Sequence, residues 1–475
     1  MKDRTALIIN PWITDFKLYD EWMHPLGLYF LISLLKHNGW EIRYVDCLRL
    51  GAPVKKKRHA TGEFISCPLP KPPAYKTIPR NYKRYGTTNE LLARHIGSLP
   101  RPSAVFVGSG MTYWLPGVAD TVRLVRQTLP DTPIVIGGIG ATLMPGYLQD
   151  AAAGVTLFTG GLLNGAVSLF DGAIRTDGWQ PSLIAAFETT GPLPHGPVLS
   201  TLGCPLSCAY CASSILQPGC SVRDGAVVAQ EVAGLARRHG VTDFAFYDDA
   251  LLFQPRQRLF KLLDRLEVES PGLRFHTPNG LHLQWFTDPV ARRMRRAGFE
   301  TLRFGYETSA AAFRGSTCTK ATRTLTEAAM RTAQRAGFRP EQIGVYVMAG
   351  LQGQSPKQVD AEMTFISSLG VLVKPVFVSP VPGTPLFESY ARQMPKLCIG
   401  PYWHNDTFFI TQLDGWGWSA ADEVRQHAGE LNDPVLSRRS AIAVEQHGKR
   451  GAVAGQPCSR PDDPADTGNH AGQPQ

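Results

Sequence analysis

Leu202-Gly203-Cys204-Pro205-Leu206-Ser207-Cys208-Ala209-Tyr210-Cys211 sets three thiols at spacings of four and three on one short stretch. Thiolates placed this way can converge on one metal centre, and they suit soft metals: zinc or an iron–sulfur cluster. A structural zinc site takes four protein ligands. Cys220 could be a fourth, but no second Cys-x-x-Cys pair is present. Three cysteines can also hold three irons of a four-iron cluster and leave the fourth iron open to a ligand. Ordinary buried thiols are the third reading. The stretch follows a short apolar run, so it stands at the end of a strand.

Downstream, strand-like runs are predicted at 198–202, 243–247, 274–277, 301–305, 343–348 and 376–379, with helical patterns between them. The clearest pattern carries Leu259, Leu262, Leu263 and Leu266 on one stripe. Six such units predict a partial (β/α)6 barrel of the TIM type. Upstream, a Gly/Pro-rich joint at 191–197 marks a boundary. The region before it also alternates. A strand at 6–10 precedes a helix with Leu28, Leu31, Ile32 and Leu35 on one face, which stops at Asn38-Gly39. A strand at 41–46 follows. From 47 to 102 the pattern fails in a stretch rich in Pro, Lys, Arg and Tyr, too long for an ordinary loop. This stretch is read as an insertion, either a lid or a surface wrap. Alternation resumes with a strand at 104–108, a helix at 118–129 and strands at 133–137 and 155–158.

The expected class is therefore α/β: a doubly wound parallel sheet over 1–190, then the barrel over 191–395. A C-terminal extension is expected at 396–446 and a disordered tail at 447–475, where Gly, Pro, Asp and Gln leave little to bury. Ligands of doubly wound sheets lie beyond the carboxyl ends of the strands. That brings Asn10-Pro11, Ser109-Gly110-Met111-Thr112 and Gly137-Gly138 around one crevice, although plain turn chemistry would also put glycines there.

Composition limits the alternatives. Of the 475 residues, 43% are apolar and 19% charged, enough for a large core and against wholesale disorder. The apolar run from Leu26 to Leu35 is about half of what a membrane-spanning helix needs. The N-terminus has no basic, apolar and small-residue signal pattern, so a cytoplasmic location is expected. A net charge of +9 permits an anionic partner. The basic runs Lys55-Lys56-Lys57-Arg58 and Arg292-Arg293 with Arg295-Arg296 are read as solvated faces. No aromatic stripe accompanies them, so nucleic-acid binding is not expected. Nine cysteines, scattered apart from the triplet, do not make a disulfide scaffold.

The Cys-x-x-x-Cys-x-x-Cys triplet, with an aromatic residue before its third cysteine, resembles the signature of the radical S-adenosylmethionine (SAM) enzymes. A doubly wound domain in front of such a barrel resembles their cobalamin-binding subclass. The runs Pro25-Leu26-Gly27-Leu28, Met111-Thr112-Tyr113-Trp114 and Gly137-Gly138-Ile139-Gly140-Ala141-Thr142 are similar to that subclass as well. The resemblance implies a [4Fe–4S] cluster on Cys204, Cys208 and Cys211. It implies SAM contacts from Tyr210, Tyr247, Asp248, Asn279, Arg303 and Glu307 at the strand ends. It further implies a cobalamin crevice at Ser109, Thr112, Gly137 and Gly138. The implied chemistry is reductive cleavage of SAM at the cluster to start radical chemistry, with cobalamin-dependent methyl transfer to an unactivated carbon of a small molecule. Electrons would come from an external donor of the flavodoxin or ferredoxin type. Rearrangement or oxidation without methyl transfer, and a non-enzymatic zinc or nucleic-acid-binding module, are the alternatives.

One motif departs from the pattern. The Asp-x-His-x-x-Gly loop of many cobalamin proteins is absent, because Asp20 and His24 precede Gly27 at a different spacing. No lower histidine ligand is predicted, and His24 is read as a surface or packing residue. Trp12, Trp22 and Trp114 are read as walls of a corrin face or as core. Cys47, Cys67, Cys220, Cys318, Cys398 and Cys458 are read as free thiols.

Overall fold

Strand β1 (Thr5–Asn10) is apolar on both faces because helices cover both sides of its sheet. Ala6 and Ile8 pack toward α1 (Leu26–His37), while Leu7 and Ile9 pack toward α2 (Asn89–Gly97) and α3 (Leu115–Thr128). The structure is a computed structural model that describes residues 4–51, 55–162, 168–169, 174–308 and 321–451. The first sheet is completed by β2 (Glu41–Asp46), β3 (Ala104–Ser109), β4 (Ile134–Gly138) and β5 (Thr156–Phe158), in the order β5-β4-β3-β1-β2. All neighbours are parallel. This is the doubly wound sheet expected from the alternating runs.

The stretch at 47–102 corrects one expectation. It ends in α2, which buries Leu92 and Ile96 against the sheet and is capped by Thr88, whose hydroxyl accepts from the Leu91 N–H at 3.2 Å. This helix is the crossover from β2 to β3, so the irregular part stops near residue 88. Nine residues with two buried positions gave too weak a period to read. Within the irregular part, Lys83–Tyr85 pairs with both Ser66–Pro68 and Ile13–Asp15.

The second sheet runs in chain order through six parallel strands: β6 (Gly196–Val198), β7 (Asp243–Phe246), β8 (Arg274–His276), β9 (Phe299–Glu307), β10 (Ile343–Ala349) and β11 (Leu372–Phe377). It is an open barrel with β6 and β11 at its ends. Helices α4 (Gly225–His239), α5 (Leu259–Glu269), α6 (Asp288–Arg296), α7 (Arg323–Arg335) and α8 (Pro356–Ser368) cover the outside. Phe244, Phe246, Phe275 and Phe304 point to those helices. The alternate positions Asp243, His276, Thr301 and Arg303 are polar and turn inward. Barrel interiors are ordinarily filled by branched apolar side chains, so a polar lumen points to function.

Two strands differ from their expected positions. The run at 198–202 is split: β6 stops at Val198, and Thr201–Gly203 turns aside to pair antiparallel with Cys220–Val222. The last strand starts at Leu372, before the run at 376–379, and contains Pro375. Proline is tolerated there because β11 is an edge strand.

Beyond the barrel, α9 (Pro385–Gln393) is followed by short turns and then by α10 (Trp418–Gly451). Helix therefore extends past residue 447, where the tail was expected to begin. Residues 452–475, with Cys458, lie outside the described residues, as does Cys318.

Candidate functional site: a cysteine loop at the barrel rim

The cysteine loop leaves its strand through Gly203, whose φ of +73° is open to glycine. A Cβ there would stand 2.2 Å from the Gly219 carbonyl oxygen. Within the loop, the Cys211 N–H donates to the Cys208 carbonyl at 3.0 Å. The Ser213 N–H donates to Cys211 Sγ at 3.4 Å. The Leu386 N–H, at the start of α9, donates to the Ala209 carbonyl at 2.8 Å and ties the loop to the rim. All three thiols are half-buried, and no disulfide joins any cysteine among the described residues. Burial, then the charges of Asp249, Cys211 and Cys220, raises the Cys204 thiol above its ordinary range.

Tyr210 packs against the apolar cluster that contains Met348, Leu351, Leu386 and Phe387, and its hydroxyl donates to Glu307. Glu307 stands at the bulged carboxyl end of β9 with φ +62°, a strained conformation for a non-glycine residue. The carboxylate is held under the loop, 8% exposed. Tyr210 and Glu307 are thus brought together as a clamp.

Asp248 has a different place from the one expected for a ligand contact. Its carboxylate accepts from the Ser200 N–H at 3.1 Å, the Ser200 hydroxyl at 2.6 Å and the Thr201 hydroxyl at 2.7 Å. It is 3% exposed, and burial raises its pKa despite those donors. It therefore fixes the chain that launches the cysteine loop. Asn279, exposed on the rim, donates to the Tyr247 carbonyl at 2.9 Å. The Tyr247 phenol is buried, which raises its pKa. Arg303 lies lower in the barrel, four positions before Glu307 on β9, with Nη1 on the carbonyls of Leu302 and Gln342.

At the first sheet, the Ser109 hydroxyl donates to the Gly137 carbonyl at 2.8 Å and accepts from the Ala141 N–H at 2.9 Å. Gly138 is exposed with φ +107°, and a Cβ on it would meet the Ser109 carbonyl oxygen at 2.5 Å. These three form an open backbone edge. Thr112 does not join it: buried at 4% exposure, it hydrogen-bonds to Nδ1 of His404 at 3.0 Å. Trp12 is core, Trp22 stacks on His276 at 4.6 Å, and Trp114 donates to Asp15 at 2.9 Å.

His24 lies within a chain of hydrogen bonds that sequence could not show. Its Nε2 meets His195 Nδ1 at 2.8 Å, His195 Nε2 meets Asp20 at 3.0 Å, and Asp20 pairs with Arg49 at 2.7 Å. Burial and the neighbouring His195 keep the His24 pKa well below its ordinary value. His195 lies in the joint between the two sheets, so only the fold joins these groups.

His59, Asp243 and His276 bring three potential ligand atoms within 4.8 Å of one another, the one such group among the described residues. Arg274 already pairs with that carboxylate through Nε at 2.8 Å, so the acid is matched without a metal. A cavity of about 300 Å³ lined by Trp12, Thr14, Arg84, Asn89 and Asp120 lies away from the cysteine loop.

Comparison with known proteins agrees with this geometry. Residues 198–366 match the radical SAM superfamily. An uncharacterized methyltransferase of Pyrococcus horikoshii is 26% identical over 199 residues, which is 41% of this chain and 42% of that protein. The match thus spans less than half of that relative's length. Among solved structures, the radical SAM methyltransferase TsrM of Kitasatospora setae is 17% identical with a TM-score of 0.59, over 82% of this chain and 76% of TsrM. The cobalamin-dependent radical SAM enzyme OxsB is 11% identical with a TM-score of 0.54, over 90% of this chain and 62% of OxsB. At these identities the likeness is one of fold. Residues 198–366 match a radical SAM domain, and together with the doubly wound domain before them they share the fold of TsrM and OxsB.

Proposed function

We propose that the chain is a cobalamin-dependent radical SAM methyltransferase acting on a carbon of a small molecule. The observation that carries this reading is the cysteine triplet, with no disulfide in it, on a loop tied to the rim of an open parallel barrel, with a doubly wound sheet in the same chain. The donor set fits a [4Fe–4S] cluster: three soft thiolates with no fourth cysteine in the loop, leaving one iron for SAM. When bound, cluster, SAM and cobalamin supply the electron, the radical and the methyl carrier.

The chain's own part is positioning and shielding. Cys204, Cys208 and Cys211 hold the cluster. Tyr210 and Glu307 fix the loop against β9, and Asp248 fixes it against β7. Asn279 ties down the chain at the end of β7 on the rim, where a nucleoside group would lie. Gly137 and Gly138 offer backbone without side chains to a flat cofactor, and the Ser109 hydroxyl braces them from beneath. TsrM has been solved with tryptophan, cobalamin and a [4Fe–4S] cluster, and OxsB with aqua-cobalamin and SAM, which supports the same cofactor set here. An external flavodoxin- or ferredoxin-type donor and a cytoplasmic setting complete the proposal. Among the described residues no helix is long and apolar enough to cross a membrane.

Anaerobic purification with iron, sulfide and cobalamin tests it. The expected product contains iron, acid-labile sulfide and cobalamin, and moves labelled methyl from SAM to an acceptor. Zinc without sulfide would overturn the cluster. Deoxyadenosine formed without methyl transfer would favour rearrangement or oxidation.

A further inference from the structure

Two half-buried cations lining the barrel lumen have no carboxylate partner among the described residues. Arg303 stands on β9 opposite Gly344 of β10, and Lys374 stands on β11 opposite Tyr346 of β10. Leu302, Phe304, Val345, Val347, Val373 and Phe377 belong to the core outside the barrel. Side chains alternate along a strand, so Arg303, Tyr346 and Lys374 turn into the lumen.

Gly344 shapes this site. A Cβ there would meet Arg303 Cδ at 3.0 Å and Nη1 at 3.2 Å, so the arginine lies across the bare backbone of β10. That direction leads toward β11 and Lys374. Nη1 is fixed by the carbonyls of Leu302 at 2.9 Å and Gln342 at 3.2 Å, which orient the guanidinium without neutralising it. The Tyr346 hydroxyl donates to the Pro278 carbonyl at 2.7 Å and is likewise no counter-charge.

Among the described residues, neither cation has a carboxylate within 4.0 Å. Other arginines of the interior do: buried Arg223 pairs with Glu231 at 2.6 Å and half-buried Arg49 with Asp20 at 2.7 Å. Burial lowers the pKa of both Arg303 and Lys374, and Arg303 lowers that of Lys374 further. Glu21, exposed, is the acid whose charge reaches both from a distance. Charged side chains in an interior are normally paired, so an unmatched pair of like charge calls for an anion.

Arg303 lies below the proposed SAM contacts at the rim, while Lys374, level with Gly305 through Tyr346, stands nearer to them. Arg303 precedes Glu307 by four residues, which at strand rise is roughly 13 Å below the rim. We infer that Arg303 and Lys374 anchor an anionic group of the substrate, a carboxylate or a phosphate, and hold its far end inside the barrel. The arginine supplies a directional fork and the lysine a point charge. This inference rests on the reading of the chain as a radical enzyme with a small-molecule substrate.

The test is acylation of Lys374 in the full, cofactor-loaded chain at neutral pH, quantified by peptide mass spectrometry. Exposed Lys357 on α8 serves as internal reference. Sodium acetate, sodium phosphate and sodium chloride are compared at equal ionic strength. Lys374 should react, and one of the two oxyanions should slow it about fivefold or more while chloride does not. Stronger protection by acetate identifies a carboxylate, and stronger protection by phosphate identifies a phosphate group. Arg303→Met should need about tenfold more oxyanion for the same protection, while Arg303→Lys should keep part of it. An unreactive Lys374, equal protection by all three salts, or full protection in Arg303→Met would each overturn the anchor. The readout does not depend on SAM turnover, so its failure is distinct from failure of the methyl-transfer assay.

Discussion

Asp248 shows how one side chain can be decisive without touching the chemistry. It gathers the N–H and hydroxyl of Ser200 and the hydroxyl of Thr201 on one buried carboxylate. Asp248→Asn replaces one acceptor oxygen by a donor facing other donors. The expected loss is about 1–3 kcal/mol, the range for a buried hydrogen-bond mismatch. Urea unfolding measures it, and iron per chain should fall with it. Unchanged stability would show that the carboxylate does not hold the loop. Gly203→Ala makes a harsher demand: a left-handed backbone and a contact of 2.2 Å with Gly219. It should leave the barrel folded and the hairpin broken, with iron content reduced several-fold. Tyr210→Phe keeps the packing but removes the bond to Glu307 and leaves that acid buried. The cluster should then bleach several-fold faster in air than in the parent protein, followed by its visible absorbance. At this scale the sequence spoke clearly about the three cysteines, because their spacing is itself chemistry. It was silent about Lys374 and His195, whose partners lie on other strands or across the joint between sheets.

Elements were legible where their periodicity was strong. β1 is a continuous apolar run, β2 alternates through Ile42 and Tyr44, and the helix between them ends at Asn38-Gly39 as its glycine, φ +74°, requires. Failures came where tertiary context overrode local pattern. Residues 198–202 look like one strand, but Asp248 pulls Ser200 and Thr201 away from the barrel into a hairpin. The start of β11 was hidden by Pro375, which an interior strand would not accept and an edge strand does. That edge is covered by α10: Asn432 Oδ1 accepts from the Val373 N–H at 2.7 Å and its Nδ2 donates to the Val373 carbonyl at 2.9 Å. Asn432→Ala therefore leaves a ladder donor and acceptor of β11 unpaired. A loss of about 1–2 kcal/mol is expected, with faster hydrogen exchange at the Val373 amide. Exchange unchanged at Val373 would mean that water replaces the side chain at no cost.

At the scale of the molecule, the segment after the barrel joins parts that the sequence treats as separate. Tyr402 accepts at its carbonyl from Tyr75 of the irregular stretch at 2.9 Å, and Asn405 donates to Asp15 at 2.9 Å. His404 meets Thr112 of the first sheet through Nδ1 at 3.0 Å and the Leu397 carbonyl through Nε2 at 2.9 Å. Burial lowers the His404 pKa from 6.5 to about 4, and the Leu397 carbonyl only partly opposes it. The folded chain thus keeps this imidazole neutral where the unfolded chain protonates it. Stability from this group is intact above pH 6.5 and declines as pH falls toward about 4. The drop corresponds to about 3 kcal/mol at most. Asp15, beside Asn405, acts in the opposite sense. Burial, then Asp406, raises it from 3.8 to about 6, so its contribution declines as pH rises through that window. A comparison of the parent with His404→Gln cancels the Asp15 contribution and isolates the histidine. The variant should lose some stability at neutral pH, where its hydrogen bonds are imperfect, yet show a flatter decline in Tm between pH 6.5 and 4. Parallel Tm curves for the two proteins would mean that His404 titrates alike in both states, and that the segment is held by Asn405 and Tyr402 alone.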